Sequence, residues 1–167
     1  MLHYLLNILK SVRPEYLTVI LAMVPISELR GAIPLALSLK VPVARAFALA
    51  VTGNLIPILP VLFFLEPVSN YLKRFSTFNK FFNWLFQRTR NRSQIIEKLE
   101  LVGLALFVAV PLPFTGAWSG AVAAFLFRFR IRESFFAITL GVLIAGTVVT
   151  LTCLGLIRFC PLFVTKF

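Results

Sequence analysis

The chain has 167 residues, 59% of them hydrophobic, with mean hydropathy +0.92 and a formal net charge of +11. A water-soluble domain is nearer half apolar and about a quarter charged, so this chain has too little polar surface to cover a soluble fold and reads as an integral membrane protein with a handful of spans. The basic residues sit between apolar runs, with no nucleic-acid-binding signature; this argues against nucleic acid as a partner and for membrane lipids, the cations lying at an anionic leaflet.

In chain order, Leu2, Leu5, Leu6 and Leu9 fall at helical spacing and Lys10 and Arg13 follow. That predicts an interfacial helix over residues 1–14, with a frayed leader as the alternative, and no small-residue cleavage site accompanies it. Residues 15–66 form a first unit. Its opening stretch, Tyr16–Leu39, is apolar but interrupted: "YLTVILAM" leads into "VPISELRG", and "AIPLALSL" follows. Val43–Leu65, with Arg45 at its entry and no charge after it, exceeds the ~20 residues that cross a ~30 Å hydrocarbon core. Pro57 and Pro60 are expected to kink it.

Residues 67–98 carry seven cations against Glu97, with Phe75, Phe78, Phe81, Phe82, Trp84 and Phe86 crowded between them. Such a segment belongs in the headgroup layer, and the positive-inside bias places it in the cytoplasm. Residues 99–160 form a second unit. Leu101–Phe127 is interrupted by "VPLPFTGAWSG", and Ser134–Ile157 is a second uninterrupted span.

The two units share an order: broken piece, basic exit at Lys40 or Arg128, then a long helix. "VP" opens both breaks and "GA" starts both second pieces, at Gly31 and Gly120. Phe47, Gly53, Leu55 and Ile56 meet Phe135, Gly141, Leu143 and Ile144 at a constant offset of 88. The fold class expected is therefore an all-α integral membrane protein built on an internally duplicated unit. Each unit is a re-entrant or broken helical hairpin plus a transmembrane helix, and the two are arranged as an inverted repeat. Pieces of about ten residues reach roughly 15 Å, half a bilayer. If both breaks turn back, ten cations lie on the linker side and six opposite; if both cross, the division is eleven to five. Charge slightly favours crossing. Re-entry is preferred, because breaks rich in proline and carrying an ion pair make poor lipid-facing spans.

The breaks carry the candidate site. Pro25, Pro34, Pro111 and Pro113 set them. Glu28 and Arg30 are expected to meet in an unwound loop before a half-helix starting near Gly31, where free N–H groups favour an anion. They could neutralise each other structurally, or Glu28 could exchange a proton or cation while Arg30 holds an anionic group. Ser27, Thr115 and Ser119 offer hydroxyls, and Gly31, Gly116 and Gly120 permit close backbone approach. Trp118 walls a pocket or anchors at the interface, and Asn54 lines the cavity or bonds a nearby carbonyl. Arg45 and Glu133 read as solvated helix-entry charges.

Other chemistries find little support. His3 is the lone histidine and all six acids are glutamates, so neither a serine–histidine pair, an aspartyl dyad nor a metal site assembles. Cys153 and Cys160 lie about 10 Å apart along a helix, beyond disulfide reach. No cofactor is implied.

"PISELRGAIPLAL" with "GNLIP", and then "VPLPFTGAW", resembles the small multidrug export proteins, bacterial and archaeal membrane proteins, over nearly the whole chain. "VAVPLPFTGAW" with "RFRIRESFF" more distantly resembles the DedA (SNARE-associated) superfamily. The DedA likeness implies two facing re-entrant hairpins in an inverted repeat, proton-dependent transport or lipid movement, and Glu28 and Arg30 as the essential acid and base. The second break lacks the arginine-bearing signature of that superfamily.

The reading is a small secondary transporter, possessing no enzyme activity, in the cytoplasmic membrane of a prokaryote. It would move an anionic or amphiphilic substrate between two re-entrant hairpins, coupled to protons or cations and as a homodimer. A non-transporting scaffold or assembly factor is the alternative, and a glutamate-based lipid hydrolase a further one. Single cysteines at Lys40 and Arg128, labelled with an impermeant thiol reagent, test the topology. Re-entry predicts labelling from opposite sides of the membrane; labelling of both from one side means that the breaks cross.

Overall fold

The computed structural model describes residues 13–72, 94–111, 115–127 and 129–159. The interfacial helix expected over 1–14 (apart from 13 and 14), the centre of the basic segment, Pro113, Arg128 and Cys160 lie outside the described residues. Among the described residues all regular structure is helical: α1 (Pro14–Met23), α2 (Glu28–Ser38), α3 (Val43–Leu55), α4 (Ile58–Leu72), α5 (Gln94–Ala109), α6 (Ala117–Leu126) and α7 (Ile131–Phe159).

Both interruptions fall where the sequence places them. α1 and α2 flank the first and α5 and α6 the second, and at 10, 11 and 10 residues α1, α2 and α6 each reach only about 15 Å. α5 departs from the expected length. It has 16 residues, because Ile95, Ile96, Leu99 and Val102 continue an apolar stripe at helical spacing back into the basic segment. Val43–Leu65 and Ile131–Gly155 are long and apolar enough to cross a membrane. The first is interrupted by a turn at Ile56 and Pro57, since a proline ring inside a helix removes one hydrogen bond and crowds the preceding turn.

The described residues of 13–54 and 143–159 pack as one compact unit, and those of 55–142 as another. In the first, α1 packs against α2, and α3 lies on α1 at Gly53. A Cβ there would stand 2.7 Å from the Val19 carbonyl oxygen and 3.0 Å from the Ala22 Cβ. In the second, α6 packs against both α4 and α5, and α7 lies on α5 at Gly141. A Cβ there would stand 2.6 Å from the Ala105 carbonyl oxygen and from the Val108 Cβ.

The turn from α2 into α3 has a simple cause. The Val41 N–H donates to the Ala36 carbonyl and the Lys40 N–H to the Leu37 carbonyl, with Lys40 at φ 62°. This left-handed cap satisfies carbonyls that the helix end leaves open. Ala36 and Val41 close over it with Ala46 in a small buried cluster. The turn from α6 into α7 repeats the outer bond, Phe129 N–H to the Ala124 carbonyl. The entries match too: Ala46 N–H donates to Pro42 O, and Ser134 N–H to Arg130 O. All of these pairs stand 88 residues apart.

The interior is rich in alanine, packed with a few larger aliphatics such as Ile33, Ile58 and Ile138. Ala22, Ala32, Ala36, Ala46 and Ala50 are buried in one unit and Ala105, Ala109, Ala117, Ala121 and Ala124 in the other, whereas Ile20, Phe63, Phe64, Leu106, Leu140 and Leu151 are exposed. Lipid is as apolar as leucine, so helices in a bilayer associate through close backbone approach and leave large side chains outside. Hydroxyls on the helices are tied inward: on α7, Ser134, Thr139, Thr147, Thr150 and Thr152 each donate to the carbonyl four residues back.

Gly53→Val and Gly141→Val are each expected to lower stability by about 1–3 kcal/mol through overpacking. At Gly103 and Gly155 an added Cβ would meet nothing within 4 Å, so Gly103→Ala and Gly155→Ala should hold or raise the melting temperature. Thermal unfolding of the detergent-solubilised variants checks both outcomes.

Candidate functional site

The first break is shorter than its sequence suggests. Only residues 24–27 are non-helical, and α2 starts at Glu28 rather than near Gly31. Glu28 and Arg30 therefore sit on a helix, where positions two apart point to different faces. Glu28 is 6% exposed, and Arg30 is half-buried. Neither stands without an interaction partner.

Glu28 is also strained. Its φ is 43°, a left-handed value that costs a non-glycine residue about 1–3 kcal/mol. The residue 88 positions on is Gly116, the cap of α6, with φ 140° and ψ −167°, a conformation essentially restricted to glycine. The matched helix ends at Ser38 and Leu126 and the buried pairs Leu29–Ala117, Ile33–Ala121 and Ala36–Ala124 keep the same offset. The "GA" pairing of Gly31 with Gly120 is thus one residue out of register, and Gly31 corresponds to Ser119. Sequence reasoning passed over the special backbone at position 28. Gly116 at offset 88 was the signal that could have found it.

The hydroxyls proposed as ligands are engaged by their own breaks. Ser27 donates to the Leu21 carbonyl, Thr115 to the Val110 carbonyl at 2.6 Å, and Ser119 to the Gly116 carbonyl at 3.2 Å. Each keeps acceptor lone pairs but has spent its proton on closing a turn. Gly31 and Gly120 serve close packing: a Cβ at Gly31 would meet the Ser27 Cβ at 2.8 Å, and one at Gly120 the Val108 side chain at 2.5 Å. Pro25 is exposed at the first break, and Pro34 lies inside α2 on its exposed side. Pro111 and Trp118 are half-buried, and Trp118 has an interaction partner. Arg45 is exposed, and Glu133 forms a surface pair with Arg130 at 3.6 Å, a contact worth little in water.

Asn54 is the other polar residue of the first unit that stands out. It is fully buried at the end of α3, next to the Gly53 crossing, and neither its Oδ1 nor its Nδ2 has a hydrogen-bond partner among the described residues. An unsatisfied buried polar group costs about 1–3 kcal/mol.

Glu28, Arg30, Ser27, Gly31 and Asn54 all belong to one compact unit, where α2 and α3 both pack on α1. Thr115, Gly116, Trp118, Ser119 and Gly120 belong to the other. The charged and amide chemistry is in the first. Among the described residues no cluster of three histidine, cysteine or acidic side chains could hold a metal.

A model of the family described as "putative small multi-drug export protein" matches residues 28–148, from the strained glutamate just after the first break, through the second break and into α7. The chain belongs to this family. With its two long apolar helices, it is an integral membrane protein. No curated protein and no solved structure matches.

Glu28→Gly should relieve the backbone strain and raise stability by about 1 kcal/mol, a rise of about 2–4 °C in melting temperature for a chain of this size. Gly116→Ala should lower it by about 1–3 kcal/mol. Calorimetry in detergent checks the opposite signs.

Proposed function

We propose that the chain is a small secondary transporter that moves an anionic or amphiphilic, lipid-like substrate across the cytoplasmic membrane of a prokaryote. Glu28 takes up and releases a proton, and Arg30, two residues on, holds the anionic group of the substrate. One observation carries this reading: a glutamate occupies a buried, left-handed position where the second half of the chain has glycine. Glycine would be less strained at this position. An ionisable side chain buried at a strained position inside a membrane protein points to function.

Membership of an export family supports transport. The recurrence of caps, crossings and buried positions at one offset supports an internal duplication. The packing of α1 on α2 and of α5 on α6 supports reading the breaks as hairpins that re-enter the membrane.

The test is reconstitution into vesicles of anionic phospholipid. Proton flux and the movement of a fluorescent anionic phospholipid are followed for wild type and Glu28→Gln, which keeps side-chain size and removes the charge. Wild type should move both in a pH-dependent way and Glu28→Gln should not, at equal folded yield. Unchanged rates and pH dependence in the variant would sink the role given to Glu28. Tight vesicles with no movement for wild type would favour a scaffold.

A further inference from the structure

We infer that the last turn of α3 binds a monovalent metal cation, sodium, through the Asn54 Oδ1 and the carbonyl oxygen of Gly53. Three independent observations meet there. Asn54 is fully buried with both amide atoms unpartnered among the described residues. Its counterpart 88 residues on is Val142, which is also fully buried and likewise follows a crossing glycine. An apolar side chain therefore does the packing at this place in the fold, and the amide is not needed for it.

The second observation is backbone chemistry. The ordinary hydrogen-bond donor for the Gly53 carbonyl is the N–H four residues on, and that residue is Pro57, which has none. Gly53 is buried, so its carbonyl has no access to bulk water in place of that donor.

The third is electrostatic. A helix C-terminus carries the negative end of its dipole, usually offset by a nearby lysine or arginine. α3 has no basic residue in its last turn, so no side chain there offsets the partial charge.

Together these set the ligand class. The donors are neutral amide and carbonyl oxygens, and the turn Val51–Leu55 contains no carboxylate. Divalent cations are held by carboxylates, whereas carbonyl oxygens at the end of a broken helix coordinate monovalent ions in membrane proteins. The Thr52 hydroxyl does not contribute: it is exposed and donates to the Ala48 carbonyl. The Asn54 Nδ2 donates to a water of the ion's shell. Binding at this site stands on its own; a role for sodium as coupling ion rests on the transport reading above.

The experiment is thermal unfolding of the purified full chain in detergent, titrated with sodium chloride against choline chloride at equal ionic strength. For wild type, sodium at about five times its Kd should raise the melting temperature by about 2–4 °C, saturably, with no such rise in choline. Asn54→Val should lose the sodium response while melting as high as wild type, or higher, in choline. Should Asn54→Val fail to fold, Asn54→Asp decides: an added carboxylate should lower the half-saturating sodium concentration by on the order of tenfold. Absence of a sodium-specific rise in wild type, or an equal response in wild type and variants, overturns the inference. This readout involves no transport, so its failure leaves the vesicle result untouched, and the reverse holds.

Discussion

Two contacts between helix backbones govern this protein: Gly53 against the Val19 carbonyl and Gly141 against the Ala105 carbonyl. In water, apolar side chains would drive these helices together. In a bilayer they have no such preference, and only close packing, polar contacts and the exclusion of lipid hold helices to each other. Side chains at the two crossings would separate the helices by the width of a methyl group or more. The alanine-rich interior and the outward-facing phenylalanines and leucines follow from that one constraint.

The short helices depend on it as well. α1, α2 and α6 are each too short to span a bilayer, so their open ends must be satisfied inside the protein. Ser27 and Thr115 do part of this by reaching back to carbonyls on the far side of each break. With the breaks closed in this way, positions 88 residues apart still differ in their chemistry: Glu28, Arg30 and Asn54 stand opposite Gly116, Trp118 and Val142 in that register.

Much of this was legible in the sequence. Proline-rich interruptions and uninterrupted apolar runs predicted the broken pieces, the two long helices and the kink near Pro57, because hydropathy and missing N–H groups act locally. The start of α5 was not legible, since Gln94 and Lys98 hide a helical stripe under polar composition. The offset of 88 was legible, and only the "GA" pairing of Gly31 with Gly120 stands one residue off it, because it matches by letter whereas burial and backbone dihedral match position 31 with 119. Asn54 was visible as a buried amide, but its lack of a partner is a tertiary fact. So is the strain at Glu28, which no side-chain pattern reports.

The inward bonding of the hydroxyls on α7 has a consequence for how this helix meets lipid. Thr139, Thr147 and Thr152, which are not buried, count as polar on any transfer scale that rates free side chains. With each proton already spent on a carbonyl of the preceding turn, what faces outward from a threonine is largely its methyl group. To the hydrocarbon, α7 is a chemically smoother rod than its composition reads. An asparagine has no such self-contained form, so a carboxamide at this depth must find its company elsewhere.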